Sequence, residues 1–116
     1  MRDFLLNNVL PFWAKHAIDH ECGGLYNMID REGRVYGTDK NVWFAGRTMY
    51  TYSLAYNELD KNEESLKIAE NMYNFLPKCE LDKSGRLPFI AARDGRALVV
   101  NSTYYSETFA AIGCTE

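Results

Sequence analysis

The sequence predicts a mainly α fold in which helices lie in two nested layers and are joined by short β-hairpins. Three observations lead to this prediction. Helical patterns alternate with Gly-rich turn signals, one helix is apolar on nearly all of its faces, and the next carries a single apolar stripe. A helix that is apolar all round needs neighbours on every side, which the helices of this chain are too few to provide. Residues 1–116 are therefore expected to be the N-terminal part of one α/α domain, truncated on its C-terminal side.

The first two predicted elements are a helix and a hairpin. The helix covers residues 3–17 and is expected to kink at Pro11, because proline removes a helical hydrogen bond. Gly23 and Gly24 follow as a helix stop. The segment D-R-E-G, which begins at Asp30, then predicts the turn of a short hairpin.

Two helices of different character come next. The first is predicted from about residue 40 to 59, with Thr38 or Asp39 as its N-cap, and is expected to be buried on most faces. The second lies within residues 62–76 and is expected to bury one stripe and expose its charged side. The members of that stripe are Leu66, Ala69, Met72, Tyr73 and Leu76.

A second hairpin and a last helix complete the pattern. The dipeptide Asp94-Gly95 is typical of a tight turn, which predicts a hairpin within residues 86–100. The last helix is predicted to begin near Ser102 or Thr103.

Composition and charge exclude several classes of protein. The net charge of -3 comes without a basic stripe, so no nucleic-acid partner is predicted. No apolar run is long enough to span a bilayer, and the N-terminal segment lacks the cleavage site of a signal peptide. The three cysteines are odd in number and widely spaced, which favours free thiols. We therefore predict a cytoplasmic protein without a membrane partner.

Arg47 is the first candidate functional residue. It follows Trp43 by one helical turn in the apolar segment N-V-W-F-A-G-R, and its guanidinium stays charged at any ordinary pH. Helical periodicity places it on a stripe with Trp43, Tyr50 and Leu54 that is expected to point inward. A buried charge needs a polar partner. The pattern leaves three partners open for Arg47: a polar ligand, a structural carboxylate or the backbone.

No metal site is predicted. His16 and His20 have the i, i+4 spacing that can bind a metal on a helix, and Cys22 is near in sequence. However, no fourth ligand is apparent.

Carboxylates near the first loop raise a glycosidase as an alternative. Asp19, Glu21 and Asp30 lie on this loop and the hairpin that follows it. A glycosidase requires two carboxylates on opposite sides of a cleft, and nothing in the spacing pairs these residues in that way.

Charged residues lie at two other places. Lys40 is either a member of a sequence motif or only a surface lysine in the first turn of its helix. Arg93, Asp94 and Arg96 are interpreted as residues of the second hairpin turn.

Three segments of the chain carry recognisable motifs: LPFWAKHAIDHECGGLY, DREGRVYGTDKNVWFAGR and FIAARDGRALVVNSTYYSETFAAIG. The motifs are D-x-x-x-G-G, K-x-x-W-x-x-x-R, and R-D-G-R followed by S-E-x-F. Together these segments resemble the opening of the N-acylglucosamine 2-epimerase family, which also includes cellobiose 2-epimerases and aldose–ketose isomerases. The resemblance runs from about Leu10 to Gly113 and is nearer to the N-acetylglucosamine branch than to the cellobiose branch.

The resemblance implies a fold and a reaction. The family fold is a barrel of six helical hairpins, so this chain would form an incomplete α/α barrel with short β-hairpins between its helices. The family reaction inverts C2 of a reducing sugar through an enediolate, and two histidines exchange the proton, as suits a side chain that titrates near neutral pH. Those histidines lie beyond residue 116 in family members, so the chain alone is expected to be inactive. No cofactor is implied.

The resemblance assigns roles to Arg47 and Tyr105, and the position of Trp43 one helical turn before Arg47 makes it a third candidate. Arg47 matches the arginine that binds sugar oxygens and supports the charge of the enediolate. Trp43 would pack on the sugar ring or belong to the core. Tyr105 matches a pocket tyrosine of the isomerases in the family.

The expected function is that of the N-terminal portion of a sugar 2-epimerase that interconverts N-acetylglucosamine and N-acetylmannosamine. Its partner would be a small-molecule sugar. Whether the full-length chain forms a homodimer is left open. Two alternatives remain: an epimerase or ketose isomerase that acts on another sugar, and a non-catalytic sugar-binding remnant.

Overall fold

The N-terminal residues form one helical rod in the computed structural model, which describes residues 1–100 and 103–116. Helix α1, Arg2–Phe4, continues through a π-helical segment, Leu5–Val9, into α2, Leu10–His16. The helix predicted over residues 3–17 is thus confirmed. Pro11 lies in the first turn of α2, just after the π-helical segment, where its missing N–H costs little.

Two glycines shape the loop that follows α2. Gly23 and Gly24 have φ values of 89° and 74°, which side-chain-bearing residues rarely adopt. A Cβ on Gly24 would lie 2.8 Å from the ring of Phe75, so the loop backbone packs directly on that ring. The bridge between Ile18 and Leu25 closes the loop.

Both predicted hairpins are present. Strands β1, Met28–Ile29, and β2, Val35–Gly37, pair antiparallel around the turn that begins at Asp30. The second hairpin belongs to a three-stranded sheet. Its order is β3-β4-β5, and its strands are Lys40–Asn41, Ile90–Ala91 and Ala97–Val99.

Helix α3, Val42–Ala55, continues into a π-helical segment, Tyr56–Asp60. The prediction that Thr38 or Asp39 caps this helix is wrong. Asn41 is the N-cap residue, because β3 pairs with β4 and keeps the chain extended up to that point.

Burial of α3 is more one-sided than its composition predicts. Val42, Ala45, Met49 and Tyr52 are buried as one face of the helix. On the opposite side Arg47 is exposed, although it was expected to point inward. The reason is that α4 and α5 pack along the buried face of α3 and leave the stripe of Arg47 only partly covered. Half-buried members of that stripe are Trp43, Tyr50 and Leu54.

Helix α4, Glu63–Phe75, is amphipathic as predicted, with Asn62 as its N-cap and a 3-10 turn, Leu76–Lys78, after it. Its buried stripe differs from the predicted one. Leu66 and Tyr73 are 42% and 56% exposed, because the helix is rotated so that Phe75 faces the glycine loop. The buried side chains of α4 are Ser65, Ile68, Ala69, Met72 and Phe75.

Helix α5, Tyr105–Thr115, packs against α3. It begins after Thr103, and Ser102, the other predicted start, lies outside the described residues. Within residues 1–100 and 103–116 there is no helix with the length and apolar character needed to cross a membrane.

Candidate active site

Helices α3 and α5 bring the three predicted site residues together around Phe109. The ring of Phe109 lies 5.8 Å from that of Trp43 and 5.9 Å from that of Tyr105, measured between centroids. The guanidinium carbon of Arg47 lies 5.9 Å from the centroid of Phe109, within the range of a cation–π contact. Trp43 and Tyr105 also meet edge to face at 6.2 Å.

Arg47 has no carboxylate partner in the described part of the chain. Its side chain is exposed and lines an apolar cavity of about 170 Å³ together with Trp13 and Phe44. Thr51 donates a hydrogen bond of 3.0 Å to its backbone oxygen, and among residues 1–100 and 103–116 no acceptor lies within hydrogen-bond distance of its guanidinium. The side chain therefore presents its charge beside aromatic rings, an arrangement that suits polar atoms of a ligand.

Trp43 carries a buried hydrogen-bond donor on its indole ring. Its Nε1 atom is buried and has no hydrogen-bond partner among the described residues, although the rest of its ring packs against Phe44, Tyr105 and Phe109. A buried N–H without an acceptor is costly. Tyr105, by contrast, is 52% exposed and forms an open wall of the same cluster.

A second set of polar residues was missed at the sequence level. Lys40 is 1% exposed, which excludes the interpretation as a surface lysine, and its ammonium lies 2.7 Å from Oδ2 of Asp19, which is equally buried. Arg93 donates to both oxygens of Asp19, at 2.8 and 3.0 Å, and to Glu21 at 2.7 Å. Interpreting Arg93 as a residue of the turn alone was therefore incomplete. We call Asp19, Lys40 and Arg93 the buried ion cluster.

Aromatic rings surround the buried ion cluster. The centroid of Tyr26 lies 5.4 Å from Nζ of Lys40 and 5.6 Å from Cζ of Arg93, and that of Phe75 lies 4.9 Å from the same Nζ. Burial alone would raise the pKa of Asp19, but hydrogen bonds from Arg93 and Lys40 outweigh it and hold the pKa well below its usual range. Burial lowers the pKa of Lys40, and Asp19 opposes that effect. Asp19 thus stays ionised at neutral pH.

Two sequence motifs named above already include members of the buried ion cluster. Asp19 and Lys40 are the first residues of D-x-x-x-G-G and K-x-x-W-x-x-x-R. However, Arg93 is separated from them by more than fifty residues, so only the fold shows that the three motifs meet.

The two histidines and Asp30 lie apart from both groups of residues, whereas Glu21 borders the buried ion cluster. His16 packs on Phe12 with centroids 5.0 Å apart, and His20 is exposed. In the portion of the chain that the structure describes, no three His, Cys, Asp or Glu side chains are grouped as a metal site. Asp30 accepts backbone hydrogen bonds within the first hairpin turn, and Glu21 pairs with Arg93.

Two solved sugar epimerases have a similar arrangement of helices and hairpins. A sugar epimerase from a ruminal bacterium matches with a TM-score of 0.81 and 28% identity, covering 94% of this chain and 28% of its own. A cellobiose 2-epimerase from Bacillus thermoamylovorans matches with a TM-score of 0.73 and 31% identity, covering 84% of this chain and 25% of its own. The chain thus has the fold of one part of the α/α-barrel enzymes that epimerise or isomerise sugars.

Sequence comparison identifies the family within that class. The profile of the N-acylglucosamine 2-epimerase (GlcNAc 2-epimerase) family matches residues 23–116. The human (Homo sapiens) N-acylglucosamine 2-epimerase is 33% identical over 115 residues, which are 96% of this chain and 27% of the human one. The chain belongs to the N-acylglucosamine 2-epimerase family, which confirms the resemblance, and it spans about a quarter of the length of this curated relative.

Proposed function

We propose that this chain is the N-terminal part of a sugar 2-epimerase and supplies one wall of its substrate pocket. The observation that carries the proposal is the meeting of Arg47, Trp43 and Tyr105 around Phe109. A guanidinium beside aromatic rings matches a sugar, because hydroxyls need donors and C–H faces of the ring need apolar cover.

The preferred substrate pair is N-acetylglucosamine and N-acetylmannosamine. Its support is the similarity to the human enzyme, which extends over nearly the whole chain. The three free thiols suit a reducing compartment, so we place the enzyme in the cytoplasm. A homodimer of the full-length chain remains part of the proposal.

Arg47 would act on the charge that forms during the reaction. Removal of the C2 proton leaves an enediolate, and donors already aimed at its oxygen lower the barrier without reorganisation. The ring of Trp43 would pack on an apolar face of the sugar. The groups that exchange the proton would come from the part of a full-length enzyme that follows residue 116, so residues 1–116 alone would not epimerise a sugar.

Deuterium exchange tests this division of labour. A full-length enzyme that contains residues 1–116 and the 116-residue chain are each incubated with N-acetylglucosamine in heavy water, and the C2 proton is followed by NMR. We expect exchange at C2 and appearance of N-acetylmannosamine only with the full-length enzyme. Clear exchange by the 116-residue chain, above a blank, would contradict the proposal.

A second candidate substrate is cellobiose. The similarity to a solved cellobiose 2-epimerase favours it, at an identity close to that of the human relative. Offering cellobiose, mannose and N-acetylglucosamine to the full-length enzyme in parallel separates the candidates, because kcat/KM ranks substrates directly.

A further inference from the structure

We propose that the buried ion cluster of Asp19, Lys40 and Arg93 is a positioning device for the site. It fixes the start of helix α3 and, through that helix, the location of Trp43 and Arg47. This inference rests on the proposed function, because it assigns the cluster a role in placing two residues of the sugar pocket.

The anchor point is the ammonium group of Lys40. It donates to three acceptors, which are Oδ2 of Asp19 at 2.7 Å, the backbone oxygen of Gly23 at 2.6 Å and that of Arg93 at 2.9 Å. An ammonium has three donors, so all are used. Lys40 is also held by its backbone, which pairs with Ala91 in the sheet. Its location is therefore determined from several directions.

The carboxylate of Asp19 has no capacity left for a ligand. Its Oδ1 atom accepts from the backbone N–H groups of Glu21 and Cys22, both at 3.1 Å, and from Arg93 at 3.0 Å. Its Oδ2 atom accepts from Lys40 and from Nε of Arg93. A carboxylate that is buried and fully bonded in this way fits a scaffold role, since a general base needs an approach to the substrate.

The cluster joins segments that are distant in sequence to the helix that carries the site. Lys40 precedes the first residue of α3, Val42, by two positions. Trp43 and Arg47 follow Val42 by one and five residues, about 1.5 and 7.5 Å along the helix axis. A rigid helix transmits a displacement of its start to both side chains, and a shift of about 1 Å at a reacting group can cost about 10²-fold in rate.

Net stability alone does not account for such a cluster. Replacing a buried ion pair with apolar residues of similar size is often neutral or stabilising. A charged cluster does, however, demand one geometry, because every donor must meet its acceptor. That property suits the placement of a helix better than it suits bulk stabilisation.

The test is Lys40→Met in the full-length enzyme. Methionine keeps the length of the apolar stem and removes all three hydrogen bonds. We expect kcat/KM per folded molecule to fall by about 10²-fold at a temperature well below Tm. We also expect the ¹⁹F resonance of 5-fluorotryptophan at Trp43, assigned with Trp43→Phe, to shift or broaden.

Lys78→Met is the matched control. Lys78 also donates a hydrogen bond to the loop after α2, at 2.9 Å to the backbone oxygen of Cys22, but it lies at the surface. The variant Lys78→Met should leave both kcat/KM and the Trp43 resonance unchanged. If Lys40→Met lowers Tm but leaves both readouts as in the wild type, the cluster is only structural and the inference is overturned.

A milder variant keeps the test decisive if Lys40→Met does not fold. Arg93→Lys retains the charge and loses the two-pronged bond to Asp19, at a side chain that is partly exposed. For Arg93→Lys we likewise expect kcat/KM to fall and the ¹⁹F resonance of Trp43 to shift or broaden. Unchanged values would overturn the inference. If the wild-type enzyme epimerises no sugar, the proposed function fails, whereas the ¹⁹F spectra still decide whether the cluster sets the environment of Trp43.

Discussion

Gly46 and Phe109 meet backbone to backbone, where helix α3 crosses helix α5. A Cβ on Gly46 would lie 2.5 Å from the carbonyl carbon of Phe109, and one on Gly113 would lie 2.6 Å from the oxygen of Gly46. Side chains at either position would push the helices apart. The ring of Phe109 is the centre of the candidate site. The close crossing of the two helices therefore sets the distances of Arg47 and Trp43 from that ring.

The first prediction concerns this helix crossing. Gly46→Ala should lower the free energy of unfolding by about 1–3 kcal/mol, the usual cost of overpacking. Alanine improves helix propensity by up to about 1 kcal/mol, so a net loss can only come from the contact with α5. Denaturant unfolding followed by circular dichroism measures the change. Thr51→Ala, at an exposed position of the same helix, is the control and should stay within about 0.5 kcal/mol of the wild type.

A Gly46→Ala variant that is as stable as the wild type, or more so, would contradict the close crossing. It would mean that α5 moves away without cost, and that the site around Phe109 tolerates a wider spacing.

The second prediction concerns acid stability. The folded-state pKa of Asp19 lies below its unfolded value of about 3.9, so the unfolded state binds the proton more readily. The stability that Asp19 provides is therefore fully present above about pH 5 and is lost as pH falls through the folded-state pKa. Asp19→Asn should cost about 3–5 kcal/mol at pH 7, because it leaves Lys40 buried without its carboxylate. The difference from the wild type should shrink towards pH 2.

Asp39→Asn is the control for this titration. Asp39 undergoes the same chemical change one residue before Lys40, but it is exposed. Urea unfolding at a series of pH values gives the three profiles. Parallel profiles for Asp19→Asn and the wild type would show that the carboxylate contributes nothing that depends on its charge.

Local signals were sufficient to predict most of the elements. Three such signals are the glycines after α2, the Asp94-Gly95 turn and the one-sided pattern of α4. Each depends only on residues that are close in sequence, so each can be identified without knowing the fold. The start of α3 was misplaced because residues 40 and 41 pair with a strand fifty residues away. Such pairing overrides the local capping preference of Thr38 and Asp39.

The site was predictable only in part, for the same reason. Arg47 and Trp43 share a helix, so their proximity follows from helical geometry. Tyr105 joins them only because Gly46 permits a close crossing of two helices. The burial of Lys40 was missed because its acceptors come from two segments that are distant in sequence. Helical periodicity within one segment cannot predict such contacts.

The third prediction concerns an apolar surface between α4 and α5. Leu66 and Tyr73 are exposed there and line a groove of about 530 Å³ with Met49 and Gly113. Open apolar surfaces of this kind bind apolar dyes and favour self-association. The 116-residue chain should enhance the fluorescence of such a dye and should associate as its concentration rises in analytical ultracentrifugation.

Two leucines of nearly equal exposure test whether dye binding and association depend on this groove or on any exposed apolar side chain. Leu66 is 42% exposed in the groove, and Leu98 is 41% exposed on β5. Leu66→Lys should reduce dye binding and association, while Leu98→Lys should reduce them much less. Equal effects of the two changes, or a wild-type chain that stays monomeric and binds no dye, would contradict the prediction.

The fourth prediction concerns Arg47 in the full-length enzyme. Arg47→Lys keeps the charge but loses the planar fork of donors, so the variant should fold normally and lose about 10²–10³-fold in kcat/KM, as is typical for one donor to a developing oxyanion. The structure describes no carboxylate partner whose loss would lower Tm. Arg31→Lys, at a side chain 92% exposed in the first hairpin, is the control and should change neither quantity. Measuring both on the same preparation separates the two roles of Arg47. A fall in Tm with intact turnover per folded molecule would mean that Arg47 supports the scaffold, because an ion pair in the rest of the enzyme would then be its real partner.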